Sequence, residues 1–405
     1  PPPPPPPPPN PQGKITFVPG WLPEEVGTVV IRESKQRWQI AEGCCLTEIS
    51  ARRINPLCPL FARCGGCQLQ HLPYEDTLLW KRRWVQEALQ RIGGIQTEVQ
   101  PVLGMADPWR YRNKATLHVQ DGRCGYYQEN THQVIPFHDC LLLSATLNAW
   151  IRALAALGLS GGMTVRQGVG EQGLIIWEAG PDDLTGLEHL LRQRLAEYSL
   201  SIWNRDQLGR LQYLHGAQDL RARYVGMEFL VSPDAFLQVN DQQTEVLYAM
   251  ILAWADLSGQ ETVWDLYCGV GTISLLLAQR AAKVVGFEVH PGAVRDAERN
   301  ALANACPQAE FRQGKVELEI LSMTEQPDIV VLDPPRAGAH PQVLDNILRC
   351  APDKLIYVSC DPATLARDLK RLSAGGMEIV KIQPVDMFPW TGHVEAIILL
   401  QRLKG

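Results

Sequence analysis

The sequence lacks any apolar run of membrane-spanning length, and no basic leader followed by an apolar stretch opens the chain. A transmembrane helix needs about 20 consecutive apolar residues, and a secretory signal needs both of the leader's parts. We therefore expect a cytoplasmic protein with no membrane segment. Apolar residues make up 45% of the chain and charged residues 20%, a balance typical of soluble globular domains.

The sequence also lacks the excess of positive charge that marks many nucleic-acid-binding proteins, because its net charge is −6. The charge is unevenly distributed. Residues 1–140 carry 15 Lys and Arg against 13 Asp and Glu, whereas residues 141–405 carry 23 against 31. Any surface that binds nucleic acid must therefore be local rather than global.

Cysteine is plentiful, with 11 residues, and four of them are spaced as a ligand set would be. Five residues separate Cys58 from Cys64, two separate Cys64 from Cys67, and Cys140 follows far downstream. Four thiolates suit either zinc or an iron–sulfur cluster, and the spacing alone does not choose between them. A disulfide pair is disfavoured in a cytosolic protein, and scattered core cysteines are the remaining alternative.

The 405 residues are enough for roughly two to three domains. We exclude residues 1–13 from the fold, because nine consecutive prolines can only be extended. Residues 14–54 alternate apolar and polar side chains between turn signals, which predicts a small antiparallel β unit. Residues 55–232 mix strand-like pieces with helical patterns at 77–92, 143–157 and 187–198. They predict a central α+β domain, and helix 77–92 is able to pack on the following domain.

Residues 233–405 change to a strand–helix alternation, which predicts a doubly wound α/β sheet of six or seven strands. After the first strand, Gly269 and Gly271 allow a ligand to approach the backbone closely. Glu288 ends the second strand, where a carboxylate can accept the two hydroxyls of a ribose. A nucleoside site is indicated by these features together: the glycine turn, the acid about twenty residues further on, and a later strand that ends in Asp-Pro-Pro.

Cys360 ends another buried strand, in the stretch IYVSCDP, and a predicted helix covers residues 363–372. A side chain at the carboxyl end of a strand lies where open α/β sheets place their chemistry. A cysteine there can also be an inert buried thiol, since cysteine is among the most buried residue types.

Five motifs in chain order resemble those of the RNA 5-methyluridine methyltransferases: DLYCGVGT, VVGFEVHP, VVLDPPRAG, IYVSCDPATLARDL and MFPWTGHVEAIILL. The earlier segments CPLFARCGGCQLQHL, WRYRNKA and HDC resemble the iron–sulfur branch, which acts on bacterial 23S rRNA or on the T-loop of archaeal tRNA. The resemblance implies a Rossmann-like methyltransferase domain that uses S-adenosylmethionine and a central α+β domain with a 4Fe–4S cluster. It also implies a TRAM-like β-barrel, and residues 14–54 resemble the later part of that barrel, so a partial TRAM-like domain is expected.

The resemblance carries the family's functional residues onto this chain by motif position. Cys360 is then the nucleophile and Glu395, in GHVE, the base. The implied cluster ligands are Cys58, Cys64, Cys67 and Cys140, and the implied cofactor contacts are Gln238, Tyr267, Gly269, Gly271, Thr272, Glu288 and Asp333. Thr272 stands where many members have asparagine. Residues 314–316 lack the acid that many members have near the adenine, so the resemblance implies no residue for that contact.

The resemblance further implies an enzyme whose substrate is RNA, with 23S rRNA favoured over tRNA by family analogy. We expect a monomer. The residues predicted to contact the RNA backbone, beside aromatic residues, are Arg82, Arg83, Arg110 and Arg112. Three other protein classes are alternatives. A cytosine C5-methyltransferase has its cysteine in a different local motif, a radical S-adenosylmethionine enzyme has a different cysteine spacing, and a catalytically inactive RNA-binding or chaperone protein would not need the retained site residues.

Overall fold

The computed structural model describes residues 13–120, 122–128, 131–157, 160–178, 193 and 198–403. The opening prolines lie outside these residues, as does all of the predicted helix 187–198 except positions 193 and 198. None of the helices in the described parts of the chain combines the length and the apolar character that a membrane span requires.

The first sheet has three strands, β1 (Ile15–Phe17), β2 (Val26–Ser34) and β3 (Trp38–Glu48), in the order β1-β3-β2. β2 pairs antiparallel with β3, but β1 pairs parallel with β3. The expectation of a purely antiparallel unit is therefore wrong for β1. The reason is that β3 inserts between the first two strands, so strands two apart in sequence become neighbours.

The second sheet has seven strands in the order β10-β9-β8-β7-β4-β5-β6, and only β8 and β9 pair in parallel. Helix α2 (Ala145–Ala155) packs on it around the buried Trp150. A separate hairpin, β11 with β12, follows. The strands are β4 (Lys114–Gln120), β5 (Arg123–Tyr127), β6 (Val134–Pro136), β7 (Gly161–Gln167), β8 (Gln172–Glu178), β9 (Ser199–Arg205), β10 (Leu211–His215), β11 (Leu220–Tyr224) and β12 (Met227–Val231).

The third sheet is the doubly wound sheet that the sequence predicts, with seven strands in the order β15-β14-β13-β16-β17-β19-β18. The first five in this order are parallel, and β19 runs antiparallel to both of its neighbours. The strands are β13 (Thr262–Leu266), β14 (Lys283–Glu288), β15 (Ala309–Gln313), β16 (Ile329–Leu332), β17 (Lys354–Ser359), β18 (Met377–Val385) and β19 (Glu395–Arg402).

Helices cover both faces of this sheet. One face carries α3 (Asp241–Ala255), α4 (Thr272–Ala278) and α5 (Pro291–Ala303), and the short α6 (Val316–Glu319) follows β15. The other face carries α7 (Pro341–Cys350), α8 (Pro362–Ala374) and, from the central part of the chain, α1 (Tyr74–Ala88). The predicted helix 77–92 thus begins earlier, and it ends in a π-helical turn, Leu89–Gly93, packed against α8. Val85 and Leu89 are fully buried in that interface.

Candidate active site

Three neighbouring strands bring the two predicted catalytic residues and one predicted cofactor contact, Asp333, together at one edge of the third sheet. Asp333 directly follows β16, Cys360 directly follows β17, and Glu395 opens β19. In the antiparallel register Ser359 pairs with Ala396, so that Cys360 and Glu395 are the next residues along the two strands. Residues far apart in sequence therefore meet because β19 returns beside β17.

The turn at Cys360 is held by a helix cap. The Asp361 carboxylate accepts hydrogen bonds from the backbone N–H groups of Ala363 and Thr364, both at 2.9 Å. Pro362 occupies the first helical position, where its fixed φ favours helix initiation. A capped helix start fixes the backbone directly after the cysteine, so Cys360 is presented half-buried from a rigid turn.

The ionisable groups of Asp333, Cys360 and Glu395 interact electrostatically. Burial, together with the carboxyl groups of Glu395 and Asp333, raises the pKa of the Cys360 thiol to about 11. Burial raises the pKa of Asp333 to about 7, and burial and Asp333 raise the pKa of Glu395 well above its usual range. The guanidinium of Arg336 opposes this rise at both Cys360 and Glu395. The pocket therefore resists accumulating negative charge, and without a bound cation its thiol is protonated at neutral pH.

Arg336 is a residue that the sequence reasoning missed. It is exposed, follows Asp333-Pro-Pro, and its charge acts on Cys360, Glu395 and His393 together. The DPPR stretch could have revealed it, since a cation after a catalytic strand end suits an anionic substrate.

The predicted nucleoside site is built around Glu288. Its carboxylate accepts hydrogen bonds from the backbone N–H groups of Gly269, at 3.1 Å, and His290, at 2.8 Å. These bonds aim the carboxylate at the glycine turn and leave lone pairs for further donors. Gly269 has a φ of +55°, and a side chain there would point into open space, so the turn leaves room for a ligand against its backbone.

Asp265 is a second residue missed from the sequence, although it opens the motif DLYCGVGT. Ser274 Oγ donates to its Oδ2 at 2.5 Å, while its buried Oδ1 has no hydrogen-bond partner in the structure. Burial raises the pKa of this carboxyl to about 7. A hydrogen-bond acceptor without a partner, near the end of β13, fits a ligand that brings a donor, such as an amino group.

Tyr267 and Thr272, also predicted to contact the cofactor, flank the same turn, whereas Gln238 lies on the loop before α3. Tyr267 has a φ of +65°, a strained conformation for a residue with a side chain and one that clusters at functional sites. The hydroxyls of Thr272 and Tyr248 share a hydrogen bond of 3.0 Å, so Thr272 is already partnered from α3. Gln238 is buried on the loop before α3, and its backbone carbonyl accepts from Asn113 Nδ2 at 3.2 Å.

Phe236, two residues earlier on that loop, is 70% exposed, although its neighbours Ala235 and Leu237 are buried. Arg166 fixes the loop by donating from Nη1 and Nη2 to the carbonyls of residues 235 and 237, at 3.2 and 2.7 Å. A rigid loop that holds an aromatic ring out in solvent offers a stacking surface for a base. The sequence reasoning missed Phe236, because only the fold reveals its exposure.

The four spaced cysteines line a single pocket. Cys58, Cys64, Cys67 and Cys140 surround it together with Phe61, Gln70, Arg112 and Tyr126. Burial and the neighbouring cysteines raise the pKa values of Cys64 and Cys67, the latter to about 12. In the described part of the chain, no three His, Cys, Asp or Glu side chains form a group that would hold a single metal ion.

The four arginines predicted to grip RNA are placed differently. Arg112 is largely buried, lines the cysteine pocket and donates to the Lys114 carbonyl at 3.0 Å. Arg110 forms a bidentate ion pair with Asp139, at 2.5 and 2.8 Å. For Arg112 the structure corrects the expectation, because its guanidinium is used inside the protein. Arg110 is paired at the surface, with 38% of its side chain exposed, and its contact with RNA stays a prediction. Arg82 binds Glu98, and Arg83 binds Glu87 and covers the Trp80 ring at 5.0 Å.

Known proteins resemble this chain in sequence and in fold. The family profile of the tRNA (uracil-5-)-methyltransferases matches residues 211–403. An uncharacterized RNA methyltransferase of Halalkalibacterium halodurans is 36% identical, covering 96% of this chain and 92% of its own length. A second one, of Listeria monocytogenes, is 35% identical over 95% of this chain and 92% of its own.

Among solved structures, the tRNA (uracil-54, C5)-methyltransferase of Pyrococcus abyssi in complex with S-adenosyl-L-homocysteine superimposes with a TM-score of 0.77, at 27% identity and over 96% of each chain. This similarity extends beyond the third sheet to nearly the whole molecule. The chain belongs to the RNA (uracil-5-)-methyltransferase family and is an enzyme of that class, dependent on S-adenosylmethionine.

Proposed function

We propose that the enzyme methylates C5 of a specific uridine in 23S rRNA through a covalent bond between Cys360 and C6 of the uracil. The observation that carries the proposal is the strand register that brings Cys360 beside Glu395, with Asp333 on the adjoining strand. A nucleophile and a base on adjacent rigid strand ends can reach the two neighbouring carbons of one ring.

The chemistry assigns each residue one task. The deprotonated sulfur of Cys360 adds to C6, and the electron pair of the C5–C6 double bond makes C5 nucleophilic. Bound S-adenosylmethionine supplies the methyl group to C5. Glu395 then removes the proton from C5, the double bond forms again, and the C6–S bond breaks with its electrons returning to Cys360. The positive charge of the sulfonium would also favour ionisation of the three acidic groups.

The glycine turn fits the nucleoside part of S-adenosylmethionine. Glu288 is fixed by two backbone N–H groups beside the open backbone at Gly269, which suits a ribose diol. The partnerless oxygen of Asp265 suits the amino group of the methionine part. The remaining residues of the proposed binding site are Gln238, Tyr267, Gly271, Thr272 and Asp333.

A base must leave its stack to reach a cysteine at a strand end, so the target is a loop or bulge in RNA. We assign Phe236 as the stacking surface for this region of the RNA, because its ring is held exposed beside Gln238. Arg336 supplies the exposed cation for a phosphate near the target.

We also propose that Cys58, Cys64, Cys67 and Cys140 bind a 4Fe–4S cluster. The proposal is supported by the shared pocket, by the four-thiolate ligand set and by the buried guanidinium of Arg112 at its wall, which would offset the negative charge of a thiolate-ligated cluster. Such a cluster would replace the thiol protons, whose release the present environment disfavours.

Anaerobically purified enzyme should therefore be brown and contain about four irons per chain, measured by visible absorbance and metal analysis. Cys140→Ala should lose most of the iron. Cys45→Ala serves as the matched control, because Cys45 is exposed and lies outside the pocket. One zinc per chain with no visible absorbance would contradict the cluster.

The choice of 23S rRNA as the substrate rests on the resemblance to the iron–sulfur branch. The second candidate substrate is the T-loop uridine of tRNA. The tRNA (uracil-54, C5)-methyltransferase of Pyrococcus abyssi, which shares the fold over 96% of both chains, favours that candidate.

Purified enzyme offered 23S rRNA and tRNA together with radiolabelled cofactor should label the rRNA, and nucleoside mass spectrometry should find 5-methyluridine there. Label in tRNA alone would replace the first candidate by the second. Label at a cytidine, or no label in either RNA, would overturn the proposed reaction itself.

A further inference from the structure

The loop that leads into Glu395 is held from outside its own sheet. We call residues 387–394, between β18 and β19, the base loop. Its first four backbone carbonyls each accept a hydrogen bond from a different part of residues 68–240. The donors are Asn240 Nδ2 to Met387 at 3.1 Å, Lys81 Nζ to Phe388 at 2.9 Å, Tyr111 OH to Pro389 at 3.1 Å, and the Gln68 and Leu69 N–H groups to Trp390 at 2.9 and 3.0 Å.

A buried ion pair anchors the start of this loop. Lys81 Nζ lies 2.6 Å from Asp386 Oδ1, and both side chains are completely buried. Tyr74 OH donates to the other carboxylate oxygen at 2.8 Å. A buried pair of this kind contributes little net stability, but breaking it is costly, so it favours one loop conformation over the alternatives.

The same loop is joined to the cysteine pocket. Gln68 and Leu69 directly follow Cys67, and Trp390 packs in one hydrophobic cluster with Cys67 and Cys140. The Trp390 ring stacks on Trp109, with their centroids 4.5 Å apart. The end of the loop is bridged as well, because the Gln68 side chain accepts from Gly392 N–H at 3.3 Å and donates to the Gly65 carbonyl at 2.9 Å.

We infer that the turn at residues 64–67, beside the cysteine pocket, positions the base, with Gln68 as the positioning residue that ties this turn to the base loop. The inference rests on the proposed role of Glu395. Gln68 bridges the turn between Cys64 and Cys67 and a loop residue three positions before Glu395. It does not reach the reacting atoms, so it acts on proton removal through the loop.

The test separates proton removal from methyl transfer. RNA with tritium at C5 of the target uridine is mixed with excess enzyme and ¹⁴C-labelled cofactor, and one turnover is followed. In Gln68→Ala, methyl transfer should stay within about twofold of wild type, while tritium release slows about five- to tenfold, as expected for one lost hydrogen bond that positions the base. A methylated covalent enzyme–RNA complex should then accumulate transiently on denaturing gels.

Gln86→Ala is the matched control. Gln86 also accepts from one backbone N–H, of Val99 at 3.0 Å, and donates to one backbone carbonyl, of Thr97 at 3.2 Å, but its partners lie outside the base loop. It should leave the ratio of tritium release to methyl transfer unchanged. Tyr111→Phe, which loses only the bond to the Pro389 carbonyl, should change the ratio in the same direction as Gln68→Ala.

An unchanged ratio in both Gln68→Ala and Tyr111→Phe, or an equal slowing of both isotopes, would overturn the inference while leaving the proposed function standing. A wild-type enzyme that methylates the uridine without any covalent complex would overturn the proposed function and this inference with it. Restoration of the ratio by Gln68→Glu, which keeps the acceptor for Gly392 N–H, would support the assignment.

Discussion

Cys360→Ala should abolish methyl transfer, with a loss of roughly four to six orders of magnitude, the range seen when an enzyme's nucleophile is removed. Uracil C5 does not accept a methyl group unaided, so no residual route of comparable rate is expected. The variant should also fail to form the stable covalent complex that a 5-fluorouridine substitution traps, measured on denaturing gels.

The matched control is Cys350→Ala. Cys350 is also half-buried in the third sheet's helical layer, at the end of α7, but it lies outside the site. It should retain near-wild-type activity and adduct formation. Full activity in Cys360→Ala would place the nucleophile elsewhere and remove the proposed mechanism.

The raised pKa of Cys360 adds a pH dependence to this prediction. Because its pKa is about 11, only a small fraction of the thiol is ionised at neutral pH, and that fraction rises with pH. The rate of adduct formation by the enzyme should therefore increase from pH 6 to pH 9. A bound sulfonium would favour the thiolate and lower this pKa, so saturating cofactor should raise the rate at each pH and make the profile level off at a lower pH.

The sequence predicts those parts of the site whose chemistry lies in local motifs. Cys360 and Glu288 each end a strand whose apolar pattern is clear, so their positions at the sheet edge follow from the motif alone. The prediction of a doubly wound sheet of six or seven strands follows for the same reason. β15 and α3 were not singled out, because their patterns of apolar residues are weaker than those of the central strands.

The failures involve residues whose surroundings come from distant parts of the chain. Lys81 occurs in a basic run that is usually solvated, yet it is buried against Asp386, 305 residues away. Arg112 reads as an RNA contact beside aromatic residues, yet it lines the cysteine pocket. The partner of Lys81 is supplied by the packing of α1 on the third sheet, and the surroundings of Arg112 by the way residues 58–142 fold around the four cysteines. No local pattern encodes either arrangement.

The second large effect is expected at Glu395, which is 3% exposed at the start of β19. Burial and the carboxyl group of Asp333 both hold the pKa of Glu395 above its usual range. Fewer of the carboxyl groups in this site are therefore ionised at neutral pH than would be in water. A neutral glutamine has nearly the same shape and removes a charge that the pocket resists. Glu395→Gln should therefore fold normally and bind both substrates.

Without the carboxylate, Cys360 can still add to C6 and the methyl group can still reach C5, but the C5 proton has no acceptor. Glu395→Gln should therefore complete one methyl transfer and stop, with label from the cofactor retained in a covalent enzyme–RNA complex. Turnover should fall by roughly two to four orders of magnitude, the usual range for loss of a general base. Glu378→Gln, on the exposed side of β18, is the control and should turn over normally. Normal turnover in Glu395→Gln would transfer the role of base to Asp333, the other carboxyl group whose pKa the pocket raises.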